Sequence, residues 1–322
     1  MTNNINWDAP SRFVETETNP TPKATRVEVG MLRMRDGALL RNGVFVPEAP
    51  RGTVVLMTGY SEFIEKYFET VSDLLALNYA VVIPEWRGHG LSDGLGDEPT
   101  RLHITDFDIN LRDLEDRWPQ LVSGLPRPHF GLAHSMGGHI SLRAAQAHPD
   151  WFDALAQSAP MHGIALGLPV RMILSVVTFV YRLLGKGDSW NPFVPQHVRP
   201  GVAEENRVTN DFDRFNRGEA LYMAEPALQV NGASLDWLRA AFKTMQHSAR
   251  PAFLASVTTP LYIGTAEEEA LVDNRAHAHV LAHVPKGEGD FYAGAKHELL
   301  MEKTATRKAF LAKVEAFFSR HI

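Results

Sequence analysis

The segment 130–139, with the sequence FGLAHSMGGH, constrains this chain more than any other stretch. An apolar run leads into it, an amphipathic stretch leads out of it, and small residues flank Ser135. This pattern predicts a strand, a tight turn and a helix, with a strained serine whose hydroxyl lies above the end of a sheet. Ala133 stands where such turns usually have glycine, and alanine is the next smallest residue. The alternative is an ordinary glycine-rich turn that begins a helix.

Strands and helices alternate along most of the chain. The predicted strands are 26–35, 43–46, 53–58, 79–84, the serine strand, 154–159, 260–264 and 290–292. The predicted helices outside the interruption described next are 65–77, 103–118, the helix after the serine, 272–284 and 302–320. Such alternation predicts an α/β fold with a mostly parallel central sheet and helices on both faces.

The alternation stops between residues 161 and 250, which we interpret as a cap (lid) insertion. It contains an apolar helix at 170–184, a Pro/Gly-rich loop at 185–201, a mixed polar stretch and a helix near 235–245. The apolar helix is too short to span a bilayer, which takes about 20 residues. The expected domains are therefore an extended N-terminal arm at 1–25, an α/β core at 26–160 and 251–322, and the insertion at 161–250.

A serine hydroxyl is a weak nucleophile by itself, so a base and an acid are required elsewhere. In folds with this type of serine turn, the order along the chain is serine, acid, histidine. His297 lies between the last predicted strand and the last predicted helix, and it is the candidate base. Glu269 and Asp273 follow the strand 260–264, and both are candidates for the acid that orients the histidine.

Two backbone N–H groups must also converge on the oxyanion of an acyl-transfer intermediate. Met136, directly after the serine, provides one candidate amide, and Tyr60, just past the strand 53–58, provides the other. We expect all of these groups to meet at the carboxyl ends of the parallel strands, where ligand sites of such sheets lie.

The composition narrows the function classes. The 322 residues include no cysteine, which excludes disulfides, thiolate metal sites and a cysteine nucleophile. A net charge of −6 without a Lys/Arg block gives no basis for nucleic-acid binding. His277, His279 and His283 do not share one helix face, so no metal is expected. Without a secretory signal, the expected location is the cytoplasm, with peripheral association at the inner membrane as an alternative.

These motifs resemble those of the α/β-hydrolase superfamily, in the branch of serine aminopeptidase S33-type hydrolases that includes monoacylglycerol lipases and bacterial lysophospholipases of the L2 type. The matching segments are 59–62 (GYSE), 87–94 (RGHGLSDG), 134–138 (HSMGG), 266–269 (AEEE) with 272–274 (VDN), 294–298 (GAKHE) and 297–303 (HELLMEK). Thr58 stands where the branch usually has histidine. Glu269 matches the position of the acid, which is commonly Asp, so the resemblance favours Glu269 and leaves Asp273 as the reserve.

The resemblance implies a serine esterase that cleaves a fatty-acyl carboxylic ester, a lysophospholipid or a monoacylglycerol, through an acyl-enzyme and without a cofactor. It also implies a helical cap over the serine. A transient contact of this cap with a membrane surface is an alternative role, which the lack of a Lys-rich polar face on the apolar helix disfavours. The alternatives are hydrolysis or acyl transfer on another ester or lactone, and a non-catalytic binding protein on the same scaffold. The sequence leaves the oligomeric state open.

Overall fold

The strands and helices are described for residues 5–191, 196 and 201–322 of the computed structural model. The strands are β1 (Ala9–Pro10), β2 (Arg26–Arg33), β3 (Leu39–Val46), β4 (Thr53–Met57), β5 (Ala80–Pro84), β6 (Arg101–Leu102), β7 (His129–His134), β8 (Ala154–Ser158), β9 (Gly232–Ala233), β10 (Leu261–Ala266) and β11 (Gly287–Tyr292). The α-helices are α1 (Phe68–Ala76), α2 (Asp108–Leu121), α3 (Ser135–Ala147), α4 (Leu168–Leu183), α5 (Phe212–Ala224), α6 (Leu235–Ser248), α7 (Pro251–Ala255), α8 (Asn274–His283) and α9 (Thr304–Ser319). Short 3-10 turns cover Ile64–Tyr67, Ala203–Glu205, Pro226–Leu228 and Leu299–Met301.

A nine-stranded sheet forms the centre of the described chain, in the order β1-β2-β3-β5-β4-β7-β8-β10-β11. The pairs from β5 onward are all parallel. The pairs among β1, β2, β3 and β5 are antiparallel. The predicted α/β fold class with a mostly parallel sheet is therefore confirmed.

Helices cover both faces of this sheet. Successive side chains of a strand point to opposite faces, so Val55 and Met57 of β4 pack on one side with apolar residues of α2, α3 and α8. Val54 and Leu56 pack on the other side with residues of α1 and α9. Burial on both faces explains why the central strands read as continuous apolar runs.

The segment between β8 and β10 lies against the loop that follows β4. Here the chain forms α4 to α7 and β9, and α4 packs on α6. The hydroxyl of Tyr222 on α5 donates to the carbonyl oxygen of Ser61 at 2.8 Å. The ring of Trp237 on α6 lies 5.0 Å from the ring of Tyr60. Both helices therefore touch the predicted oxyanion loop.

Helix α2 begins later than the sequence pattern predicts. It starts at Asp108 rather than at residue 103. Arg101–Leu102 pairs with Gly232–Ala233, and His103 Nδ1 lies 2.9 Å from Ser234 Oγ. These contacts with residues 232–234 hold the start of the predicted helix outside α2.

The sequence predicts no helix in the mixed polar stretch that contains α5, and the prediction is wrong there. The predicted loop 185–201 lies partly outside the described residues. Within the described ranges, no helix combines the length and the apolar character needed to cross a bilayer.

The described part of the N-terminal arm follows the sheet. β1 pairs antiparallel with β2, and the Val14 amide donates to Glu65 Oε1 at 2.9 Å. Val14 is buried, so the arm contributes to the packed structure.

Candidate active site

Ser135 stands at the junction of β7 and α3. Its φ is +48°, a left-handed conformation that is costly for a residue with a side chain. The predicted strained turn is present, and two glycines make it feasible. A Cβ on Gly137 would lie 2.4 Å from the Thr58 carbonyl oxygen, and one on Gly138 would lie 2.6 Å from Pro160 Cβ. No larger residue fits at either position without displacing its neighbour.

The loop after β11 brings His297 to this serine. His297 Nε2 lies 2.9 Å from Ser135 Oγ, which is hydrogen-bond distance. Both residues are buried. The imidazole is therefore in reach of the proton that a nucleophilic serine must lose.

Glu269 lies on the other side of the imidazole, in the loop after β10. Its Oε2 is 2.7 Å from His297 Nδ1. Its Oε1 accepts hydrogen bonds from the amides of Leu271 at 2.8 Å and Val272 at 3.2 Å. Burial alone would raise the pKa of Glu269, but the hydrogen bond and charge of His297, and then the two amides, lower it below its usual value. The carboxylate is thus ionised and held in place.

Asp273, the reserve candidate for the acid, is engaged elsewhere. Its side chain accepts a hydrogen bond from the Arg275 amide at the start of α8. It also forms an ion pair with the Arg275 guanidinium at 2.9 Å. The structure therefore brings Ser135, His297 and Glu269 together and places Asp273 as a helix cap.

The two predicted oxyanion donors belong to neighbouring segments. Met136 lies in the first turn of α3, where backbone N–H groups have no partner within the helix. Tyr60 lies in the loop after β4, which passes against the start of α3, since a Cβ on Gly137 would lie 2.4 Å from the Thr58 carbonyl oxygen. Ser61 has a φ of +56° in this loop. The arrangement is compatible with two amides that approach the serine from different elements.

The sequence-based reading missed several side chains around this site. Lys66 lies between the carboxylates of Glu62 and Glu298, and Trp237 packs on Tyr60. The four-residue spacing of Glu62 and Lys66 gives no usable signal, because Glu62 precedes the 3-10 turn Ile64–Tyr67 and the two residues do not share a helix. The partners Glu298 of Lys66 and Tyr60 of Trp237 are far away in the sequence, so these contacts have no local signal either.

One cluster among the described residues has donor atoms close enough for a metal ion. Glu62, His134 and Glu298 offer atoms within 4.8 Å of one another. However, Lys66 Nζ donates to Glu62 at 2.8 Å and to Glu298 at 2.7 Å. An ammonium group already occupies the position between the two carboxylates, so these residues do not fit a metal ion well.

Known proteins with similar sequences include a lysophospholipase and a monoacylglycerol lipase. A family model described as serine aminopeptidase, S33, matches residues 48–304. Lysophospholipase L2 of Escherichia coli K12 is 33% identical over 287 residues, covering 83% of this chain and 80% of that protein. Monoacylglycerol lipase of Mycolicibacterium smegmatis is 25% identical over 283 residues, covering 87% and 92%.

Solved structures share the same architecture. A soluble variant of monoglyceride lipase from Saccharomyces cerevisiae, in complex with a substrate analog, matches with a TM-score of 0.70 at 19% identity and covers 93% of this chain and 98% of its own. A carboxyl esterase from Bacillus coagulans in complex with glycerol matches with a TM-score of 0.69 at 14% identity and covers 93% and 100%. At these identities the likeness establishes the fold.

Proposed function

This chain belongs to the serine aminopeptidase S33 family of α/β-hydrolases and is a carboxylic ester hydrolase, and we propose that it cleaves fatty-acyl esters of lysophospholipids or monoacylglycerols. The observation that carries the proposal is the pair of hydrogen bonds that connect Ser135 to His297 and His297 to Glu269. The names of the relatives support the lipid substrate, since they include lysophospholipases and monoacylglycerol lipases.

In the proposed mechanism, Ser135 Oγ attacks the ester carbonyl carbon while His297 Nε2 takes the hydroxyl proton. The negative oxygen of the tetrahedral intermediate is stabilised by the amides of Tyr60 and Met136, each of which contributes roughly 3–4 kcal/mol in comparable sites. The intermediate collapses, and the leaving alkoxide takes the proton from His297. Water, deprotonated by the same imidazole, then hydrolyses the acyl-enzyme and restores the serine. Glu269 orients the ring and stabilises its protonated form.

We propose that residues 161–250 form a cap under which the acyl chain lies. Two contacts support this role, the packing of Trp237 on Tyr60 and the hydrogen bond from Tyr222 to Ser61. In both contacts a residue of 161–250 meets the loop that is proposed to carry an oxyanion amide. An apolar chain beneath such a cap would be shielded from water, which strengthens the electrostatic contribution of the two amides.

We further propose that the outer face of α4 contacts the lipid aggregate that holds the substrate. Apolar side chains on and just after this helix are exposed by 43–71%. They are Val170, Met172, Ile173, Val176, Phe179, Val180, Leu183 and Leu184. Exposed apolar patches of this kind mark interaction surfaces, and an apolar helix face can lie at a lipid surface.

The test is release of free fatty acid from lysophosphatidylcholine and from monooleoylglycerol, measured side by side for the wild type and Ser135→Ala. We expect hydrolysis of at least one lipid by the wild type and of neither by the variant. The ratio of the two rates identifies the preferred head group. Repeating the assay with added glycerol or another alcohol detects acyl transfer as a new ester product. Hydrolysis of a short activated ester through Ser135, without hydrolysis of either lipid, would contradict the lipid assignment alone.

A further inference from the structure

Two loops carry the proposed oxyanion amide of Tyr60 and the proposed base His297. They come from distant parts of the chain, and one side chain connects them. Lys66 Nζ donates to Glu62 Oε1 at 2.8 Å and to Glu298 Oε1 at 2.7 Å, across a separation of 232 residues. The ammonium group therefore links the two loops directly.

Glu62 fixes the first loop. Its Oε2 accepts hydrogen bonds from the Gly59 amide and from the Tyr67 hydroxyl, each at 2.5 Å. Its other oxygen accepts from Lys66. The carboxylate thereby closes the turn 59–62, which contains Tyr60, so a shift of the carboxylate would shift the backbone of that turn.

Glu298 fixes the second loop. It follows His297 directly, and its amide donates to the Val208 carbonyl oxygen at 2.8 Å. Its side chain is held by Lys66. Displacement of Glu298 would therefore shift the adjacent imidazole relative to Ser135.

The three side chains that form this link are charged and largely buried. The side chains of Glu62, Lys66 and Glu298 are exposed by only 5%, 16% and 12%. Burial lowers the pKa of Lys66, but the charges of Glu298 and Glu62 outweigh burial and raise it above its usual value. Burial raises the pKa of Glu62, but the Lys66 charge, followed by smaller contributions, lowers it below its usual value. Removal of one partner from such a cluster leaves an uncompensated buried charge, which is strongly destabilising.

His134, next to the serine, lies against this cluster. Its Nε2 is 4.0 Å from Glu62 Oε1, and its ring lies 4.8 Å from the ring of His297. Its Nδ1 is 3.0 Å from the Ser158 carbonyl oxygen. The cluster thus reaches all three segments of the site, namely the oxyanion loop, the serine turn and the histidine loop.

We propose that Lys66 is a positioning residue for ester hydrolysis, which holds the oxyanion loop and the histidine loop in register through Glu62 and Glu298. This inference rests on the proposed function. Lys66 does not touch the reacting atoms, so its loss should lower the rate of the chemical step and leave substrate binding almost unchanged. Loss of the ammonium also leaves more negative charge near the imidazole, which favours the protonated form of a base.

The experiment compares Lys66→Met and Lys66→Arg with the wild type on p-nitrophenyl butyrate, a short soluble ester. For Lys66→Met we expect kcat to fall about tenfold to a hundredfold, with KM within about twofold. The acidic limb of the kcat profile should move to higher pH. Lys66→Arg retains the charge and both donors and should recover most of the rate. Lys308→Met, a substitution on the exposed side of α9, is the matched control and should behave like the wild type.

A second variant keeps the proposal testable if Lys66→Met does not fold. Glu298→Gln preserves the side-chain shape and the pair of Lys66 with Glu62, and it should lower kcat by a smaller factor with KM unchanged. The proposal is overturned if the folded variants share the kcat, KM and pH profile of the wild type, or if only thermal stability changes. Wild-type hydrolysis of the short ester without hydrolysis of any lipid would sink the lipid assignment and leave this comparison valid. Wild-type activity in Ser135→Ala would overturn both proposals.

Discussion

Glu269 Oε2 lies 2.7 Å from His297 Nδ1, although the glutamate has one methylene more than the aspartate common at this position. Its second carboxylate oxygen accepts hydrogen bonds from the amides of Leu271 and Val272. One carboxylate oxygen is thus held by the imidazole and the other by two amides of its own loop. Glu269, His297 and Ser135 are thereby connected by two successive hydrogen bonds.

This arrangement predicts different effects for two similar substitutions. Glu269→Gln should lower kcat by about 10³–10⁴-fold, because the amide can no longer stabilise the protonated imidazole. Asp273→Asn makes the same chemical change four residues later, and asparagine also caps helices well. We expect it to retain kcat within about twofold. Steady-state kinetics of both purified variants test this prediction. A larger loss of kcat in Asp273→Asn than in Glu269→Gln would indicate that Asp273 is the acid.

The close approach of α3 to the loop after β4 predicts the effect of a single methyl group. Gly137→Ala would place Cβ 2.4 Å from a backbone carbonyl oxygen. We expect the free energy of unfolding to fall by about 1–3 kcal/mol, and kcat to fall as the oxyanion loop is displaced. A Cβ added to Gly218 on α5 would contact nothing within 4 Å. Gly218→Ala should therefore leave the free energy of unfolding unchanged or raise it by up to about 1 kcal/mol. Urea unfolding of both variants tests the contrast, which would fail if Gly137→Ala were as stable as the wild type.

Buried histidines predict a loss of stability in mild acid. Burial lowers the pKa of His89 to about 4, and burial together with the charge of Arg143 lowers the pKa of His139 to about 3. The unfolded chain binds these protons near pH 6.5 and the folded chain does not, so stability is full above pH 6.5 and falls towards pH 4. For His89 alone the loss is on the order of 3 kcal/mol.

Urea unfolding at pH 7.5 and pH 5.0 measures this loss. His139→Gln should reduce the difference between the two pH values, and His247→Gln, an exposed position on α6, should not. Equal pH dependence in both variants would contradict the assignment of the effect to buried histidines.

The sequence predicted most of the strands of the sheet, and three residues singled out from it, Ser135, Glu269 and His297, lie in hydrogen-bond contact in the structure. The strands and the serine turn are encoded locally, by apolar runs and by small residues around Ser135. The missed features depend on distant partners. Helix α5 includes Asn216 and Gly218, which disfavour helices, and it is held by the ion pair of Arg214 with Glu69 and by the hydrogen bond from Tyr222 to Ser61. The spacing of apolar residues along the sequence cannot reveal such tertiary contacts.

The exposed face of α4 predicts binding to lipid surfaces. Met172, Val176, Phe179 and Leu183 recur at helical spacing and are exposed by 59–71%. Replacement of Val176 and Phe179 by serine should reduce cosedimentation with phosphatidylcholine vesicles and hydrolysis of monooleoylglycerol in them, while hydrolysis of p-nitrophenyl butyrate stays unchanged. Phe291→Ser removes an exposed aromatic ring from β11 and serves as the control. Undiminished vesicle binding by the double variant would argue against α4 as the contact.

The most direct test of the central claim is to label the nucleophile covalently. The wild type is incubated with a fluorophosphonate that carries an alkyl chain, digested and mapped by mass spectrometry. The account predicts one adduct, on Ser135, together with complete loss of esterase activity. It also predicts that His297→Ala labels far more slowly, since the serine then lacks its base. An adduct on another residue, or full inhibition without modification of Ser135, would contradict the account.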